Sequence, residues 1–498
     1  MNKPRASFLG FPILLALLAF AFQGGRGIYW PDEGYYVSIA QSMLDRKDWL
    51  VPILNDGVWL DKPPLSMWGI ASGLSTFGRN EFGARAFVGL CYFLTALLVY
   101  LLGTSLKNRS FGLLAGVIYA TMLLPFVAGN VCTPDGPLTL FTTFTFLFFW
   151  FINNPRHSHV TACKVLLTIS LGLGFLTKGP AVFVPTCSIV LFMLVRKRTL
   201  RIISWQCLLL GIVLFSAFGV LWYAVISIRI PGSLSYFFDN QVWGRTVSSK
   251  YSRNAGLFGS LIYIPTIIIG ASPWTVIWFM KLKRIAHRQR LSSILNTILN
   301  DPADLLIGLW ILIPLAILLM ANSRLPLYAL PLFPAIALAT SRIMYPLFSK
   351  NTAVEGGVSF SRRQIACLII WVLVLITAKY ASARLPHVQD TRAVFRAMEC
   401  YLPAGEYEVV SVDMHLEGLS LYLSAPEERV TTSTRPYPLF TLPEHIDEEL
   451  AEVRSSSHAK VFLTKGESTE SLRSFLCESQ ITFREHMLPY RRSMFVVE

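Results

Sequence analysis

The sequence predicts a polytopic α-helical membrane protein of about 11–13 spans, with interfacial helices in its first outer loop and a soluble α/β domain at its C-terminus. Three observations carry this. Of 498 residues, 53% are hydrophobic and 15% charged, with a mean hydropathy of +0.51; soluble domains carry about 25% charged residues. Apolar runs near the length that crosses a bilayer recur along the chain. The net charge of +14 is unevenly placed: from Ala381 onward there are 12 Lys and Arg against 18 Asp and Glu. A basic membrane part with an acidic tail argues against nucleic acid and for a positive-inside topology.

Taken in order, Lys3 and Arg5 precede an apolar run from Ser7 to Phe22 that resembles a signal peptide and is expected to stay as an uncleaved first span. A long loop, 23–81, follows. Within it Glu33–Leu44 has helical apolar spacing at Tyr36, Val37, Ala40 and Leu44, and Pro63–Phe77 is similar; both suit the membrane interface. Ten further spans are expected near 82–104, 111–129, 137–152, 163–177, 180–195, 203–227, 257–280, 304–321, 326–346 and 364–381. Residues 1–381 thus form a membrane domain. Residues 382–498 form the soluble domain, with strands at Glu408–Val412 and Lys460–Thr464 and helices at Glu444–Val453 and Ser468–Cys477.

Loop charge orients the chain. Lys107 and Arg109, Arg156 and Lys164, the Arg196–Arg201 cluster, the Lys281–Arg290 run, and Arg342 through Arg363 all fall on one side if the spans alternate. By the positive-inside rule that side is cytoplasmic, with the N-terminus. The eight cysteines have no metal spacing; Cys400 and Cys477 share the tail, where pairing is open. His415, His445, His458 and His486 are scattered and read as surface residues.

The opposite face collects Asp32, Glu33, Asp61, Lys62, Asp135, Lys178, Arg245 and Arg324. Charge at a bilayer boundary is expensive and usually functional. Carboxylates take protons from hydroxyl nucleophiles or hold divalent cations. Lys and Arg grip phosphate. Tyr35, Tyr36, Trp59 and Trp68 suit an amphipathic boundary and stack on sugar faces. Lipid, phosphate and sugar together describe a polyprenyl-phosphate-linked sugar. A lone lysine at a span end usually snorkels, and boundary aromatics usually form belts. The reading therefore rests on the whole set of charges.

The motifs in order are Pro31-Asp32-Glu33, Leu60-Asp61-Lys62-Pro63-Pro64-Leu65, Thr133-Pro134-Asp135-Gly136-Pro137-Leu138, Leu176-Thr177-Lys178-Gly179-Pro180, Arg245 before Pro273-Trp274, and Arg324-Leu325-Pro326-Leu327-Tyr328. This ordered set resembles the polyprenyl-phosphate-sugar-dependent glycosyltransferases of the GT-C type. The branch it is most similar to is the bacterial 4-amino-4-deoxy-L-arabinose lipid A transferases, related to protein O-mannosyltransferases. Asp61 stands where that branch has Glu, and Thr246–Tyr251 lacks the histidines of its structural metal.

The resemblance implies a GT-C-like fold in a bacterial inner membrane, with the site and tail in the periplasm. It implies inverting transfer of a sugar from a polyprenyl (undecaprenyl) phosphate donor to a lipid A, glycan or protein acceptor. Asp32, Glu33 and Asp135 are the candidate catalytic carboxylates. Lys62, Lys178, Arg245 and Arg324 are the candidates for the donor phosphate. Tyr35, Tyr36, Asp61 and Tyr328 are candidates for substrate contact. A divalent metal of unspecified identity is open, with Asp61 as its candidate ligand. Two rivals are a transporter or flippase of lipid-linked sugars, whose charges would lie nearer the bilayer midplane, and a sensor with an extracytoplasmic ligand domain.

Overall fold

The computed structural model describes residues 6–497 apart from 56, 155–156, 197–203, 244–253, 255, 287–298, 349–360, 415, 424, 426, 433–443 and 454–457. The chain divides into two compact units, one of residues 1–22 with 88–378 and one of residues 23–87 with 379–498.

Among the described residues, the first unit is built of helices. Each of the eleven apolar runs has a helical counterpart, from Ala6–Phe20 to Arg362–Ser382. Among the described residues, seven helical stretches are long and apolar enough to cross a membrane unaided. The remaining runs are shorter or broken, for local reasons. The 111–129 run divides at Met122, whose extended backbone (φ −68°, ψ 139°) separates Arg109–Thr121 from Leu123–Ala128. The long stretch Val160–Arg196 is interrupted after Lys178 by Gly179 at φ +61°, ψ −140°, a conformation that disfavours any side chain, and Pro180 follows. Trp205–Phe215 has no buried residue, and Leu208, Ile212 and Val213 are each more than half exposed. Such a helix is stable only in lipid, so the chain is a multi-span membrane protein.

The second unit joins the first loop to the tail. Its mixed sheet pairs β5–β4–β3–β6–β8–β7, with β3 Tyr407–Val412, β4 Glu427–Thr431, β5 Glu444–His445, β6 Ala459–Lys465, β7 Arg484–Leu488 and β8 Arg492–Val497; β1 Ile53–Leu54 and β2 Gly57–Val58 form a separate ribbon. β5, β4, β3 and β6 run parallel, and β8 and β7 are antiparallel. Val409, Val461, Met494 and Val496 face one core layer; Val410, Phe462, Phe495 and Val497 face the other. Ile446–Val453 and Glu467–Glu478 are the helices expected from the tail sequence.

Both expected loop helices form, as Asp32–Arg46 and Leu65–Phe77. Asp32–Arg46 docks on the tail rather than standing alone. A Cβ at Gly34 would meet the Glu417 carbonyl oxygen at 1.8 Å, so only glycine admits this approach. The Ser38 hydroxyl accepts from the Gly418 amide at 2.8 Å, and the Ser420 hydroxyl donates to the Gln41 side-chain oxygen at 2.9 Å. No disulfide joins Cys400 and Cys477, whose thiols are both exposed and free. His445 lies 3.0 Å from Asp447 and His458 3.2 Å from Glu406, while His415 lies outside the described residues.

Candidate active site

Two motifs separated by a whole helical hairpin meet in the first unit. Asp135 is the first residue of helix Asp135–Asn153 and Lys178 the last of Val160–Lys178. The two helices are consecutive and packed together, so the start of one lies beside the end of the other. Each charge also complements the dipole of its own helix, acid at the N-terminus and base at the C-terminus. Lys178 Nζ lies 2.6 Å from Asp135 Oδ1, with both side chains 10% exposed or less. The same ammonium sits 4.1 Å from the Tyr328 ring centroid, a cation–π contact. Tyr328 is carried by the 3-10 segment Pro326–Leu332, which packs on Asp135–Asn153.

Arg324 lies in the same unit and is 5% exposed. Its guanidinium donates to the carbonyls of Asn254 (2.9 Å), Gly256 (3.0 Å) and Leu319 (3.1 Å), and the Asn254 amide donates back to the Arg324 carbonyl. Its Nε is buried without a hydrogen-bond partner. Arg324 therefore holds the stretch that follows Arg245 in sequence, with its Nε–H unused. Arg245 itself, and Thr246–Tyr251, lie outside the described residues. Tyr263 is fully buried, and its hydroxyl has no hydrogen-bond partner among the described residues. Its position in a plain apolar run gave no signal of this.

In the second unit the neighbouring acids of the first motif separate sharply. Asp32 is exposed, with no hydrogen bond or ion pair among the described residues. Glu33 is 1% exposed, and its carboxylate is saturated. It accepts from Arg85 Nε at 2.7 Å and Nη2 at 2.9 Å, from Arg26 Nη1 at 2.8 Å, and from the Tyr29 amide at 3.0 Å. Burial alone would raise its pKa. The Arg26 and Arg85 charges and hydrogen bonds outweigh that and hold it well below the usual carboxylate range. Both carboxylate oxygens of Glu33 are thus engaged by donors, the geometry of an anchoring group. Arg85, at the edge of an apolar run, was overlooked, although a charge there needs a partner.

The sign of its pH dependence follows. A carboxyl depressed in the folded state contributes stability that is present above its unfolded pKa of about 4.5 and is lost as pH falls through the folded value. Melting of the detergent-solubilised chain should hold level above about pH 5 and drop in stronger acid. Glu33→Gln should lower the plateau and shrink the acid drop; an unchanged acid limb in that variant would contradict the assignment.

Asp61 and Lys62 are half-buried, and Lys62 Nζ donates to the Asp61 carbonyl at 2.8 Å. Tyr35 stacks on Trp59 with centroids 6.4 Å apart, and Tyr36 meets the same ring edge-on at 5.9 Å. Among the described residues Asp61 belongs to no group of three His, Cys, Asp or Glu able to share a metal ion. No step is assigned to a metal there.

Residues 61–223 match the family described as dolichyl-phosphate-mannose-protein mannosyltransferase. The chain is 28% identical over 362 residues to the undecaprenyl phosphate-alpha-4-amino-4-deoxy-L-arabinose arabinosyl transferase of Photorhabdus laumondii, covering 71% of this chain and 63% of that one. It is 30% identical over 339 residues to the protein of the same name from Pectobacterium carotovorum, covering 66% and 57%. The chain thus spans less than two thirds of the length of these relatives. In structure it matches ArnT from Cupriavidus metallidurans bound to undecaprenyl phosphate, with a TM-score of 0.78, 18% identity, and 99% and 98% of the two chains covered. The fold is that of ArnT from Cupriavidus metallidurans, a helical membrane part with a C-terminal sheet domain. In sequence the chain is similar to the arabinosyl transferases named above, and in fold to ArnT.

Proposed function

We propose that the chain is an inverting glycosyltransferase that moves a sugar from a polyprenyl phosphate donor, undecaprenyl phosphate in a bacterial inner membrane, to a lipid A, glycan or protein acceptor. The supporting observation is the caged ammonium of Lys178, fixed between Asp135 and the Tyr328 ring at a helix end. The names of the sequence relatives favour aminoarabinose as the sugar. The loop charges favour a cytoplasmic N-terminus with the reacting groups and the tail in the periplasm.

The acceptor oxygen attacks the anomeric carbon, and the bond from that carbon to the phosphate oxygen breaks, its electrons leaving with the phosphate. Negative charge grows on the leaving group, and Lys178 neutralises it most strongly then. Asp135 is a positioning residue that aims the ammonium. Lys62, Arg245 and Arg324 are further phosphate partners in this reading, and Tyr35, Tyr36, Asp61 and Tyr328 shape substrate contact. Asp32 is the candidate base because it is the exposed acid of its motif.

The need for a base depends on the acceptor. A hydroxyl must lose a proton during attack, whereas an ionised lipid A phosphate need not. Full-length protein should be given a synthetic undecaprenyl-phosphate sugar and each acceptor class, with products read by mass spectrometry. Asp32→Asn should slow transfer to a hydroxyl by about 10²–10⁴-fold and leave a phosphate acceptor nearly untouched. Wild-type turnover of the hydroxyl acceptor would remove Asp32 from the chemistry. Movement of intact donor across liposomes without bond cleavage would instead support the transporter reading.

A further inference from the structure

The helix Asp32–Arg46 carries a polar stripe. Ser38, Gln41, Ser42 and Asp45 recur at intervals of three and four residues, so they share one helix face. Ser38 and Gln41 are spent on the tail, at Gly418 and Ser420. The same stripe lines a cavity of about 410 Å³, closed by the β1–β2 ribbon, Arg79 and the start of β4. Cavities that hold small ligands run from about 300 to 1,000 Å³. This one lies wholly in the second unit. Asp45 is about 20 Å along the helix from Asp32, so the cavity is remote from the acid of the first motif.

Its lining is chemically specific. Glu427, the first residue of β4, brings a half-buried carboxyl to it. Burial and the neighbouring Glu417 push the pKa of that carboxyl up to about 8, opposed by a hydrogen bond from the Ser420 backbone and by no Lys or Arg. Arg79, on the same cavity, is paired with Asp45, and both are about half exposed. The side chains of Ser42 and Asn55 have no hydrogen-bond partner among the described residues. Leu54 and Leu423 add an apolar wall. Among the described residues Glu427 belongs to no group of three His, Cys, Asp or Glu able to share an ion, which favours an organic ammonium over a metal.

An acid without a cation, a free hydroxyl, a free amide and an apolar wall match a molecule with an ammonium, hydroxyls and an apolar face. An amino sugar carries all three. We propose that this cavity binds an amino sugar, its ammonium on the Glu427 carboxylate and its hydroxyls on Ser42 and Asn55. The ammonium takes the place of the Glu427 proton, which leaves to solvent. The site is separate from the transfer chemistry and does not depend on the transferase reading.

The test titrates full-length protein in detergent at pH 7 with glucosamine, glucose and N-acetylglucosamine, by calorimetry and by melting. Glucosamine should bind one per chain with release of a proton. Glucose lacks the amine and N-acetylglucosamine has it capped, so both should bind about tenfold more weakly or worse. Glu427→Gln should weaken glucosamine binding by about tenfold or more, and Ser42→Ala by about threefold. Glu467→Gln, outside the cavity, should change nothing. Equal binding of glucose and glucosamine overturns the proposal, as does glucosamine binding that Glu427→Gln leaves intact. Should Glu427→Gln fail to fold, the sugar series and Ser42→Ala decide. No binding of glucosamine by wild type would reduce Glu427 to a protonated acid held by the fold, and the site is not there.

Discussion

Lys178→Met should abolish most transfer, by about 10²–10³-fold in turnover, the scale on which a single charge-stabilising donor is lost. The same change should destabilise the chain, because Asp135 is left buried with its partner gone. Removing one member of a buried pair costs about 3–5 kcal/mol. The two effects separate in the double variant. Lys178→Met with Asp135→Asn removes both charges together, so melting should return close to wild type while transfer stays absent. Activity that recovers along with stability would mean Lys178 only supports the fold. Asp135→Asn alone should keep partial activity, since the Tyr328 ring still holds the ammonium.

Arg85→Ala should be the most destabilising single change in the second unit. Besides Glu33, Arg85 donates to the carbonyls of Gln23 (3.2 Å), Arg26 (2.8 Å) and Gly27 (2.7 Å). Its loss takes a donor from each of these three carbonyls and leaves Glu33 with Arg26 and the Tyr29 amide, a cost of about 3–5 kcal/mol. Arg85→Lys keeps the charge but loses the planar fork, so an intermediate loss is expected. Thermal melting with limited proteolysis of 23–87 measures both. Melting of Arg85→Ala within about 1 kcal/mol of wild type would show that water or Arg26 replaces it.

The membrane helices were legible because an apolar run of bilayer length has few alternatives. The tail strands were legible because Val-rich runs at Glu408–Val412 and Lys460–Thr464 are bounded by turn residues. The pairing of Asp135 with Lys178 was half legible. Their motifs were evident, but the direct ion pair depends on how two consecutive helices pack. The contrast between Asp32 and Glu33 could not be read at all, since neighbouring acids in one motif look alike until the fold exposes one and buries the other. The docking of the first loop on the tail was hidden for a similar reason. Its contacts, such as Ser38 with Gly418, join residues with no local pattern in common.

The second unit is stitched from two segments with the whole of 88–378 between them. During synthesis the first loop emerges early and its docking partners last. Until Ser420 and Tyr422 have been made, Gln41 and the Ile28 amide lack these partners. Completion of this unit is therefore a checkpoint on the entire insertion of the membrane helices. A chain truncated before residue 417 would present its first loop undocked to quality-control proteases. Loss of the tail would consequently lower protein abundance before it could reveal anything about catalysis.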